Sequence, residues 1–188
     1  MFIKSDIINN LKEKFGCPQI AEFHIPVGLE EYERIKSSQK NNRQHDVTLY
    51  IEKDSKWVVI AKHFYPPGMY RAPSGGINPN EDFIEGAKRE ALEETGCEIE
   101  LVKFLLLTNV IFYVKDDPDR KIEWHSYVFH AKYISGDFDF SDTKEIKEVK
   151  LADLSEFEIY KEIMLRQNIG GLNYRAGLHD IVKDLITA

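Results

Sequence analysis

An α/β fold, a β-sheet with helices on its faces, is predicted by three observations. Runs rich in β-branched and aromatic residues lie on both sides of one polar helix near mid-chain. That helix carries an apolar stripe of the kind that packs on a sheet. The chain then closes on segments of helical periodicity, giving an order of strand, strand, helix, strands, helix.

In order along the chain, residues 1–44 read as an N-terminal extension. Ile7, Ile8, Leu11 and Phe15 recur at helical spacing. Gly16, Pro18, Pro26 and Gly28 then interrupt the chain, residues 29–36 suit a second short helix, and residues 37–43 are polar and linker-like. Packing is the ordinary use of such a piece, with a pocket wall or a homodimer contact as alternatives. The main domain, 45–158, opens with a hairpin of residues 47–51 and 57–62 across a polar turn. In the loop that follows, Tyr65 and Tyr70 offer stacking surfaces and Arg71 a cation for phosphate; surface aromatics and a solvated charge are the plainer readings. Beyond the central helix, residues 98–114 form a long β-rich run broken near Thr108 and Asn109, either two strands or one bent strand. Residues 115–120 form a turn, 123–133 a returning strand, and 148–151 a short edge strand. The C-terminal helical segment, 159–188, continues a helix over 157–166; Asn168 to Gly171 break the chain before a last helix near 178–186.

The chain is organised around residues 75–97. A Gly- and Pro-rich turn leads into a helix over 82–95, with Pro79 and Asn80 as breakers before it and Gly96 just past its end. Phe83, Ile84, Ala87 and Ala91 form the apolar stripe. Glu90, Glu93 and Glu94 fall beside that stripe rather than opposite it, although like charges at i,i+4 destabilise a helix. A helix that needed only solubility would carry these carboxylates on its far face. Crowded oxygens at a half-buried edge suit a hard divalent cation, and Mg²⁺ is the usual ion where carboxylates act with substrate phosphates.

The same stretch resembles the Nudix box, G-x5-E-x7-R-E-U-x-E-E-x-G-U with U hydrophobic. Gly75 is followed by Glu81, then by Arg89-Glu90, and then by Ala91, Leu92, Glu93, Glu94, Thr95, Gly96 and Cys97, so every fixed position matches. The resemblance spans roughly residues 46–157 and implies an α/β/α sandwich with a mixed sheet between helices. It implies hydrolysis of a nucleoside diphosphate linked to another group, by attack of water on phosphorus. It also implies Mg²⁺, with Mn²⁺ as the alternative, held by Glu90, Glu93, Glu94 and the Gly75 carbonyl. Glu93, Glu94 and Arg89 become the catalytic set, with Glu81 and Gly96 supporting the box. Arg89 lies within i±4 of both Glu85 and Glu93 and is expected to orient Glu93; an ordinary helix ion pair is the alternative. Glu81 stands at the helix entrance, where a carboxylate suits the positive end of the dipole.

The general base is left open between Glu93 in the box and Glu123, Glu145 or Glu148 beyond it. Arg71 and Tyr70 are the candidates for holding substrate. A nucleotide sugar such as ADP-ribose, a nucleoside triphosphate and a dinucleotide all fit as the small-molecule substrate. A prenyl diphosphate isomerase and a non-catalytic nucleotide sensor are the competing functions; no dedicated cysteine and glutamate pair marks the first, and an intact carboxylate cluster speaks against the second.

Composition narrows the field further. A net charge of −7 with no long basic run offers no footprint for a nucleic acid polymer. No stretch approaches a membrane span, no signal-peptide pattern opens the chain, and Cys17 and Cys97 show neither disulfide nor metal spacing. The expected setting is cytoplasmic. The histidines give no zinc-like spacing, and His125 and His130 fall on opposite faces of their strand.

Overall fold

Among the described residues, seven strands pair into one mixed sheet in the order β1-β5-β6-β2-β3-β7, with β4 attached to β2. The computed structural model describes residues 3–39 and 43–187. In chain order the elements are α1 (Ser5–Phe15), β1 (Gln19–Val27), α2 (Leu29–Ser38), β2 (His45–Lys53), β3 (Lys56–Lys62), β4 (Ser74–Gly75), α3 (Phe83–Thr95), β5 (Glu98–Val114), β6 (Asp117–Ser135), β7 (Ile146–Ala152), α4 (Glu156–Arg166) and α5 (Gly170–Thr187). Among the described residues, no helix is long and apolar enough to cross a membrane.

The central strand β2 explains the layering. Val47, Leu49 and Ile51 join a core with Phe83, Ala87 and Ala91 of α3 and Leu11 of α1. Tyr50 points the other way, into a core built with Tyr32 of α2, Phe157, Tyr160 and Met164 of α4, and Tyr174, Leu178 and Val182 of α5. A strand covered on both faces loses the in-and-out alternation, which is why β2 reads as a nearly continuous buried run. The β2–β3 hairpin turns through Asp54 and Ser55, both in the left-handed region (φ 51° and 62°), as two-residue hairpin turns require.

Several elements differ from expectation. Residues 19–27 form β1, which runs parallel to β5 with Gln19 opposite Leu106 and Val27 opposite Val114. The N-terminal segment therefore supplies a strand of the main sheet rather than standing apart from it. The proline at position 26 is tolerated because β1 is an edge strand, with a free side where the missing N–H is not needed. Strand β5 takes the whole expected run 98–114 as one continuous strand, and β6 is longer than the expected 123–133, the two meeting at a tight turn of Lys115 and Asp116; register shifts near Val102 and Leu105 take the place of a break at Thr108. Gly170 and Gly171 begin α5 instead of breaking the chain. The Glu31 carboxylate accepts their N–H groups at 3.1 and 2.8 Å, and a Cβ on Gly170 would crowd Val27 and the Pro26 carbonyl. The left-handed Asn168 makes the break (φ 52°). Helix α4 straddles the expected boundary at 158/159.

Candidate active site

The helix α3 is delimited by its own ends. Asp82 caps it, its Oδ1 accepting the Ile84 and Glu85 N–H groups at 2.9 and 3.1 Å. Gly96 ends it in the left-handed conformation (φ 69°), donating its N–H to the Leu92 carbonyl. Phe83, Ala87 and Ala91 are buried against the sheet. This rotation leaves Glu90, Glu93 and Glu94 along the flank that faces β4 and the glycine turn.

Each carboxylate engages the protein's own donors. Glu90 Oε1 accepts the Gly76 N–H at 3.1 Å and Arg89 Nη1 at 2.8 Å. The Glu90 carboxylate lies so close to Gly75 that a Cβ there would fall on it, so glycine is what lets the two meet. Glu94 is almost fully buried: its Oε2 accepts the Ser74 N–H at 2.7 Å, while Oε1 faces Lys62 Nζ at 3.6 Å and Arg71 Nη2 at 3.8 Å. Burial raises the Glu94 carboxyl above its ordinary range against the opposing pull of Arg71 and Lys62. Burial likewise raises Glu90, with Arg89 pulling it down. Glu93, its side chain 45% exposed, bonds Arg89 through Oε2.

Arg89 is the hub of this flank. Its Nε and Nη2 donate in parallel to the two oxygens of Glu81 at 2.7 and 2.9 Å, and Nη2 also reaches the Gly76 carbonyl at 2.9 Å. Glu81 in turn accepts the Asn78 N–H, and Arg89 holds its carboxyl below the usual range. Glu85 pairs with Lys88 rather than Arg89, at 2.9 Å. Glu81 clamps the turn to Arg89, while Asp82 does the capping.

The remaining candidates separate by place. Arg71 is buried, not solvated, and donates to the Tyr65 hydroxyl, the Ala72 carbonyl and the Ser74 hydroxyl. Glu145 is brought to the edge of the site by Lys62, whose Nζ lies 2.5 Å from it while also facing Glu94. Glu148 accepts the Tyr70 hydroxyl proton at 2.8 Å, and the Tyr70 ring tilts against Tyr160. Glu123 is exposed on β6, in a groove with Tyr32 and Lys36 of α2, and is not gathered with the α3 carboxylates. Lys62, Ser74, Arg43 and Arg175 were not anticipated. The Arg43 guanidinium covers Gly76 where a side chain there would stand. Arg175, from α5, bonds Asp46, Thr48 and Ser74. The only sequence signals for these were a charge closing the β3 run and an arginine inside the apolar pattern of the last helix.

Among the described residues, no three His, Cys, Asp or Glu side chains are converged as a finished metal cage. The flank nonetheless fits a hard cation: three carboxylates adjoin a glycine turn that the Glu90 carboxylate approaches directly because Gly75 has no side chain.

This is a Nudix-type box, held on a helix against a mixed sheet between helical layers. The profile described as NUDIX domain matches residues 42–169, and the chain belongs to the Nudix hydrolase family. Its fold is shared by a NUDIX hydrolase from Nitrosomonas europaea at 21% identity and a TM-score of 0.50, over 65% of this chain and 80% of that one. A NUDIX-family hydrolase from Clostridium perfringens aligns at 18% identity and 0.47, over 75% and 99%. An ADP-ribose pyrophosphatase from Streptococcus suis aligns at 12% and 0.42, over 59% and 74%.

Proposed function

We propose that the protein is a Mg²⁺-dependent hydrolase that cleaves the pyrophosphate linkage of a nucleoside diphosphate derivative: a nucleotide sugar such as ADP-ribose, a nucleoside triphosphate or a dinucleotide. One observation carries the reading. Glu90, Glu93 and Glu94 line one flank of α3 beside the Gly75–Gly76 backbone, with Arg89 fixing two of the three. These carboxylates and the Gly75 carbonyl would hold Mg²⁺, with Mn²⁺ as a substitute. When bound, the ion offsets the charge of the pyrophosphate and helps orient the attacking water.

The chain's own residues do the rest. Arg89 keeps Glu90 and Glu93 in place and ties both to the turn through Glu81. Ser74, Lys62 and Arg71 hold Glu94. Water oxygen bonds to phosphorus, the bridging P–O bond breaks, and the water proton passes to a carboxylate. Glu93 takes that role, being the most open of the three and bonded to Arg89 through Oε2. The free thiols of Cys17 and Cys97 agree with a cytoplasmic setting.

Product release from a panel of nucleotide sugars, nucleoside triphosphates and dinucleotides, with Mg²⁺ and with chelator, tests the reading. Metal-dependent cleavage of one class, reduced by orders of magnitude in Glu94→Gln, is expected. A folded, metal-replete protein that cleaves nothing would overturn it in favour of a nucleotide sensor. A prenyl diphosphate returned rearranged, with its diphosphate intact, would indicate an isomerase.

A further inference from the structure

Lys62 closes β3 where its register with β7 shifts, an irregularity of the kind that re-aims a side chain beside a site. Its side chain is only 12% exposed, and its Nζ stands between two carboxylates, 3.6 Å from Glu94 Oε1 and 2.5 Å from Glu145 Oε2. The two partners differ in setting. Glu94 is buried on α3, whereas Glu145 is exposed just before β7.

Glu94 uses its two oxygens differently. Oε2 accepts the Ser74 N–H at 2.7 Å. Oε1 has Lys62 Nζ at 3.6 Å and Arg71 Nη2 at 3.8 Å, both beyond the roughly 2.7–3.2 Å of an ordinary N–H···O bond. Positive charge surrounds this oxygen without bonding it closely, so a stronger partner can take it.

The two cations are not equally replaceable. Arg71 is buried, its other donors are committed to Tyr65, Ala72 and Ser74, and among the described residues Glu94 is the carboxylate it faces. Lys62 already reaches Glu145, and an ammonium on a four-carbon stem shifts more readily than a forked guanidinium. A divalent cation at Glu94 would repel both, and Lys62 is the one with a second carboxylate to turn to. That carboxylate is anchored to the flank it serves. The Glu145 carbonyl accepts the His63 N–H at 3.1 Å, its N–H donates to Asp142 Oδ1 at 3.3 Å, and the Asp142 N–H donates to the Glu93 carbonyl at 3.0 Å.

We propose that Lys62 is a built-in counter-ion of the carboxylate flank: it neutralises Glu94 in the metal-free protein and yields Oε1 to a divalent cation by shifting its charge onto Glu145. Lys62 is thus a positioning residue that keeps the metal-free flank together and lowers its affinity for metal. This rests on the metal-dependent hydrolase reading and adds to it a competitor carried by the chain itself.

Titration of the full chain with Mn²⁺, read from the EPR signal of the free ion and without substrate, tests the proposal. Lys62→Met keeps most of the stem and removes the charge. It should bind Mn²⁺ about 10-fold more tightly than the parent, yet melt earlier than the parent in chelator, because Glu94 loses one of the two cations beside it. Lys62→Arg, which keeps the charge, should not gain affinity. Lys62→Gln, polar and uncharged, repeats the test should the methionine variant fail to fold. Glu145→Gln should weaken Mn²⁺ binding, since Lys62 is then left to Glu94, and adding Lys62→Met to it should restore the affinity of Lys62→Met alone. Parent or weaker affinity in the folded, uncharged variants, or an equal gain in Lys62→Arg, would overturn the proposal while leaving the hydrolase reading intact. A double variant weaker than Lys62→Met would also overturn it, by making Glu145 a metal ligand in its own right. Mn²⁺ bound by none of the proteins, or bound undiminished by Glu94→Gln, would remove the metal site and the hydrolase reading with it.

Discussion

Arg89 donates to Glu81, Glu90, Glu93 and the Gly76 carbonyl together, and only a planar guanidinium can serve both oxygens of Glu81 in parallel while reaching the others. Arg89→Lys keeps the charge but not the fork, so it should raise the Mg²⁺ concentration for half-maximal activity about 10- to 100-fold, the usual effect of disturbing a group that orients metal ligands. A metal titration of activity, with a melting curve to show an intact fold, checks this. Spacing along α3 was enough to place Glu93 beside Arg89, because i,i+4 neighbours follow from helix geometry alone. The Glu81 and Gly76 contacts depend on how the turn folds back, and no local period encodes that. His179 makes the same point in the opposite core. It stacks on Phe157 at 4.4 Å, its Nδ1 lies 3.0 Å from the Tyr50 hydroxyl, and burial pushes its pKa down to about 4. Above pH 6.5 it is neutral both folded and unfolded. As pH falls below that, the unfolded chain takes a proton that the folded chain refuses, so stability present above 6.5 is lost toward pH 4, by roughly 2–3 kcal/mol. Denaturant melts across this window should show a shallower loss in His179→Gln.

At the scale of elements, the end of α3 is fixed by a contact between glycines. Gly96 is left-handed, and a Cβ there would meet the Asp139 backbone at 2.5–2.7 Å; a Cβ on Gly136 would fall on the Gly96 carbonyl. The loop after β6 is seated on this corner, with the Asp142 N–H donating to the Glu93 carbonyl at 3.0 Å. Gly96→Ala combines the left-handed penalty, about 1–2 kcal/mol, with a backbone clash. It should destabilise by at least that amount in equilibrium unfolding and lower kcat by shifting Glu93. A wild-type melting curve would mean the loop yields without strain. The helix itself was legible to within a residue because breakers, stripe and terminal glycine agree. Strand β1 was not, although Ala21, Phe23, Ile25 and Val27 alternate with Ile20, Glu22, His24 and Pro26. The proline and flanking glycine read as breaks, and only the sheet order shows that the strand lies at an edge, where proline is tolerated. The start of α5 was hidden for a related reason: two glycines read as a break unless Glu31, far away in sequence, is known to cap them.

For the whole molecule, the question is whether residues before Gln44 are an attachment or part of the fold. The sequence division at 44/45 treats them as an attachment, whereas their contacts tie them in at three places. Strand β1 hydrogen-bonds along β5 over nine residues, Leu11 of α1 enters the core beneath α3, and Glu31 of α2 caps α5 while Gly170 packs on β1. Removing them would bare the long β5 strand as an open edge and uncap the helix that carries Arg175, and exposed edges of that length invite pairing with other chains. A chain beginning at Gln44 should therefore elute as aggregate in size-exclusion chromatography and lose the cooperative melt of the full protein. A monomeric fragment with the parent's melting curve and activity would make the first 43 residues an independent extension after all.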